Sequence, residues 1–210
     1  MFQYANLRAC AERDGVPFHH GKGWIGEKIF NLPSVPSTPG RDTGGGYGSK
    51  QEAVFYTRRD ALRWFAFRPE VAEMLKRIPL PVYMAHHRLG DYIGQPIQPV
   101  VSYKSYVDGI KKFGYNLEDF YICTEENPCI VPGFEQFPFL PDFYRLMKAE
   151  VLFRGNSSFS WWAAALGDGK VYAPVVTGCK AGVLNDVEFV EGNYPSICDS
   201  EHCSDIHLKP

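Results

Sequence analysis

Residues 142–174 read DFYRLMKAEVLFRGNSSFSWWAAALGDGKVYAP, and this stretch decides the fold. Asp142 to Lys148 begins a helical pattern, and Val151-Leu152-Phe153 is a short apolar run. Ser160 to Leu166 is helical again, and Val171-Tyr172-Ala173 is a second apolar run stopped by Pro174. Runs of this length with no polar alternation fit strands covered on both faces, as in a parallel sheet. Upstream the rhythm continues. Val82-Tyr83-Met84-Ala85-His86 and Phe120-Tyr121-Ile122-Cys123 are further apolar runs, and residues 102–113 between them form a helix with a polar face. Four strands alternating with three helices predict an open, Rossmann-like α/β sheet.

The rhythm fades toward the N-terminus. Residues 60–78 are helical but interrupted at Pro69, where a second helix can start, because proline is accommodated in a first turn. Residues 2–14 form a weakly amphipathic helix that Gly15-Val16-Pro17 stops. Residues 21–50, rich in glycine and proline and including Gly44-Gly45-Gly46, read as loop. Pro79-Leu80-Pro81 marks the change of character, so residues 1–79 form an N-terminal portion and 80–210 the sheet domain.

With 210 residues, 45% of them hydrophobic, the chain is long enough for a substantial core. Its 22 Lys and Arg against 24 Asp and Glu argue against a nucleic-acid partner, which needs a basic excess. No apolar run approaches a membrane span, and Met1-Phe2-Gln3-Tyr4 shows neither basic leader nor hydrophobic run. The expected location is therefore cytoplasmic or the cytoplasmic face of a membrane. The six cysteines match no metal knuckle, and free thiols are expected, with Cys198 and Cys203 the pair best placed to be an exception.

Ligands of open α/β sheets bind beyond the carboxyl ends of the strands, and three clusters lie there. The first is His86-His87-Arg88-Leu89-Gly90-Asp91-Tyr92. Gly90 permits a sharp turn from which the Arg88 fork can meet phosphate oxygens, while Asp91 can brace the arginine or act as a base. An ordinary surface turn with an arginine–aspartate pair fits the same residues. His86 and His87 cannot easily share a metal ion, because strand neighbours point to opposite faces. No metal site is expected.

The second cluster is Arg154-Gly155-Asn156-Ser157-Ser158-Phe159-Ser160, leading directly into a helix. First-turn N–H groups and serine hydroxyls there suit an anion, although a simple serine N-cap fits too. Trp161 and Trp162 are expected to pack against the sheet. The third cluster is Thr124-Glu125-Glu126-Asn127, whose polar groups suit ribose hydroxyls or base edges and are equally common in solvated loops. The glycine run lacks the lysine and serine of a P-loop, and neither a dinucleotide fingerprint nor a nucleophile elbow is present.

The block 86–92 resembles the HxRRxD motif of α-1,2-fucosyltransferases, with Leu89 replacing the second arginine. Residues 142–174 are similar to that family's SNSSFSWWAAWL block, and Met1-Phe2-Gln3-Tyr4-Ala5 is similar to the tail of its N-terminal GGLGNQMFQYA segment. The resemblance implies a GT-B-like fold in which residues 80–210 bind a nucleotide sugar and an abbreviated N-terminal α/β portion, lacking the first strand and glycine loop, faces the acceptor. It implies an inverting transfer of L-fucose from GDP-fucose to a glycan hydroxyl, with an α-1,2 linkage and no cofactor or metal. Membrane association would be peripheral, through the acceptor. By position Arg88, Asp91 and His86 would be catalytic. Arg88, Thr124, Glu125, Asn156, Ser157, Ser158, Phe159 and Ser160 would bind the donor. The shortened front end also fits a nucleotide-sugar-binding protein without turnover, and diphosphate contacts do not read the sugar, so another nucleotide sugar is a further alternative.

Overall fold

The computed structural model describes residues 1–17, 23–32, 56–96 and 98–193. The cysteine pair at 198 and 203 and the glycine run at 44–46 lie outside the described residues. The chain divides into two units that meet in sequence at Met74 and Leu75, five residues before the expected boundary.

The N-terminal unit contains α1 (Phe2–Asp14), α2 (Gly26–Ile29), α3 (Arg58–Trp64) and α4 (Pro69–Leu75), whose last residue falls past the boundary. Helix α1 ends where expected, at Gly15 in the left-handed conformation. Thr57 and Asp60 form a reciprocal capping box at the start of α3, and Pro69 opens α4 as the sequence predicts. The single turn α2 lies in a stretch read as loop. Its Phe30 end bridges Phe67 and stacks on that ring at 5.6 Å, a long-range contact that glycine-rich composition does not reveal. Among its described residues this unit holds helices and isolated bridge residues at Phe30, Thr57 and Phe67, with no strand, so the expected α/β character is not found among them.

The second unit carries β1 (Tyr83–His86), β2 (Val100–Val101), α5 (Tyr103–Lys112), β3 (Phe120–Cys123), α6 (Leu140–Lys148) and β4 (Val151–Phe153). It continues with α7 (Ser158–Leu166), β5 (Lys170–Pro174), β6 (Leu184–Asn185) and β7 (Phe189–Glu191). The main sheet runs β3-β1-β4-β5-β7. Its first four strands are parallel, and β7 lies antiparallel along β5. The mixed α/β fold with a mostly parallel sheet is thus present, as the four apolar runs predict. Strands β2, β6 and β7 were not foreseen. Two or three residues are too few to show a period, and their pairing depends on distant partners.

Alternation along the strands sorts the two faces. Ala85, Val151, Phe153 and Tyr172 enter one core cluster with Tyr106 and Ile110 of α5 and with Phe189. Met84, Leu152 and Ala173 alternate to the other face and are equally buried. Trp161 and Trp162 are both buried, with rings edge to face at 5.1 Å. Among the described residues no helix is long and apolar enough to cross a membrane.

Candidate functional site

Strand order decides where a ligand can sit. The chain leaves β1 to one side, toward β3, then returns past it to form β4 on the other side. Connections that depart in opposite directions leave a crevice beyond the carboxyl ends of β1 and β4, the switch point of a doubly wound sheet. The first two clusters flank this point, and the third lies at the end of β3, next to β1. Register aligns them, with His86 opposite Cys123 and Ala85 opposite both Ile122 and Phe153.

On the β1 side, Arg88 is three-quarters buried along its side chain. Its Nη2 donates to Asp91 Oδ1 at 2.6 Å, Nη1 pairs with Glu125 Oε1, and the guanidinium lies 5.2 Å from the centre of the Tyr92 ring. The two terminal nitrogens that would clasp a phosphate therefore each hold a carboxylate. Asp91 braces the arginine, one of the two roles the sequence left open. Glu125 is an ion-pair partner of Arg88. Thr124 closes its own turn, accepting from the Asn127 N–H at 3.2 Å.

The histidines diverge as alternation requires. The His87 Nε2–H donates to the Val101 carbonyl at 3.0 Å, whereas the His86 ring lies 5.7 Å from that of Phe159. His86 is buried with Nδ1 unpartnered, and its pKa is pushed down to about 3. Desolvation is the main cause, aided by the positive charges of Arg88, His87 and Arg154. The ring is neutral throughout the physiological range. Among the described residues no group of His, Cys, Asp and Glu side chains forms a metal-ligand set.

On the β4 side the turn is closed. Arg154 is fully buried, and its Nη1 donates to the Gly155 carbonyl at 2.9 Å. Burial pulls its pKa down to about 10. Gly155 passes so near β1 that a Cβ there would stand 2.7 Å from the His86 carbonyl oxygen. That same carbonyl accepts from the Tyr106 hydroxyl at 2.7 Å. Asn156 Nδ2 donates to the Pro99 carbonyl at 3.1 Å, Ser157 Oγ accepts from the Phe159 N–H as the cap of α7, and Ser160 Oγ donates back into the turn. Three expected donor-site side chains thus hold the backbone in shape. Ser158 is the exposed hydroxyl at the helix mouth, and Phe159 is half-buried against Phe143, ring centres 5.3 Å apart.

Sequence reasoning missed Arg154 as a buried cation and Tyr106 as the clamp on the His86 carbonyl. A strand-end arginine reads as exposed, and Tyr106 lies on a helix whose facing strand is known only after folding. Comparison with protein-family models, curated proteins and solved structures finds no match.

Proposed function

We propose that the chain binds a nucleoside diphosphate sugar across the ends of β1 and β4 and transfers the sugar to a glycan hydroxyl. The donor is taken to be GDP-fucose and the new linkage α-1,2. The observation that carries this reading is the topological switch, which brings the Arg88 turn and the α7 N-terminus to one crevice, each bearing a block that resembles the fucosyltransferase motifs. In an inverting transfer the acceptor oxygen attacks the anomeric carbon as the bond to the diphosphate breaks. The acceptor proton passes to a base, and negative charge collects on the leaving diphosphate. An arginine fork and helix-start N–H groups stabilise that charge. The Tyr106 hydroxyl holds the His86 carbonyl beside them.

One observation favours a second reading, binding without turnover: Asp91, the carboxylate available as a base, is tied to Arg88. Calorimetric titration with GDP-fucose, GDP, GDP-mannose and UDP-glucose, with and without EDTA, followed by an assay for GDP release on an acceptor array, separates the two. Chelator-resistant binding of GDP and GDP-fucose with GDP release supports the transferase. The same binding without release supports the binding protein, and silence with every nucleotide refutes both.

A further inference from the structure

Arg88 and Glu125 stand at matching places, each two residues beyond the paired ends of neighbouring strands β1 and β3. Their ion pair joins the ends of β1 and β3, beside the crevice between β1 and β4. Gly90 makes room for it: its φ is +23°, and a Cβ at that position would fall on the Glu125 carboxylate. Only glycine leaves the seat open without displacing the acid. With Asp91 on the other terminal nitrogen, one guanidinium faces two carboxylates. An arriving anion thus meets an excess of negative charge at the group that should attract it.

We propose that Glu125 is an internal competitor for Arg88, occupying the Nη1 position that a diphosphate oxygen takes and leaving it when the diphosphate binds. The inference rests on the reading of this crevice as a diphosphate site. Its consequence is selectivity by charge. A pyrophosphate group outbids a single carboxylate for the fork, whereas a weakly charged anion does not. Asp91, three residues from Arg88 and accepting from its Nη2 at 2.6 Å, stays as the brace.

The test is titration of the wild type, Glu125→Gln and Arg88→Ala with inorganic pyrophosphate at low salt, with unfolding temperatures recorded to establish that each variant is folded. Glu125→Gln keeps the shape and removes the charge, so it binds pyrophosphate more tightly, on the order of tenfold, with the gain shrinking as salt rises. Arg88→Ala loses binding. Equal affinity of wild type and Glu125→Gln, with binding lost in Arg88→Ala, overturns the competition and leaves the diphosphate site standing. Weaker binding by Glu125→Gln overturns it as well, making the acid a contributor to the site. Wild-type binding by Arg88→Ala, or none by any protein, overturns the diphosphate reading and the competition together.

Discussion

The two turns that flank the crevice occupy equivalent places in the sheet and are built in opposite ways. The turn after β1 projects Arg88 between two carboxylates near solvent, with the Asp91 side chain 65% exposed. The turn after β4 is buried from Arg154 through Ser157, and its side chains bond to the backbone. Exposed ion pairs are weak and exchange partners readily, whereas buried polar groups are costly to leave unmatched. The β1 turn is therefore suited to rearrange around a ligand, and the β4 turn to stay fixed while it does so.

The largest break in this contrast comes from α7, the helix that follows the β4 turn. Trp161→Ala should lose about 3–5 kcal/mol in denaturant unfolding, because the indole is buried and edge to face with Trp162. A variant of full stability that has lost nucleotide binding would instead make Trp161 a ligand contact. Gly155→Ala tests the close passage of β4 over β1. A Cβ set 2.7 Å from the His86 carbonyl has backbone as its obstacle, so about 1–3 kcal/mol should go, read by the same unfolding curve.

Between the two turns lies His86, and its effect is read through pH. Its folded pKa of about 3 is below the unfolded value of 6.5, so between those values the unfolded chain binds the extra proton. Stability from this group is complete above the unfolded pKa and declines as pH falls toward the folded one. From roughly pH 7 to 5 the loss is about 2 kcal/mol. His86→Gln should flatten that part of the stability profile, and an unchanged slope would show that the ring is not desolvated. The smallest effect belongs to the open side. Arg88→Ala should change unfolding free energy by about 1 kcal/mol, because the arginine is three-quarters buried but its Asp91 partner is 65% exposed, while abolishing anion binding. A large stability loss there would make the β1 turn as structural as its neighbour.

Much of this was legible in sequence because it depends on local pattern. Three-residue apolar runs such as Val151-Leu152-Phe153 can be satisfied only between two covered faces, and Gly90 marks a sharp turn beyond the run at 82–86. Pro69 announced a helix start by the donor it lacks, whereas the caps supplied by Thr57 and Ser102 emerge only in the folded chain. The individual duties of Asn156, Ser157 and Ser160 were not legible. A serine or asparagine after a strand can serve a ligand or a carbonyl, and the acceptors at Pro99 and Gly155 come into range only in the folded chain.

The sequence by itself therefore determined the alternation of strands and helices, and the residue types at the strand ends, because helix and strand periods are set by neighbours along the chain. Tertiary structure alone decided that β1 lies between β3 and β4. That order joins Arg88 to Glu125 and sets Gly155 against His86, since contact between strand ends follows lateral pairing and not distance along the chain.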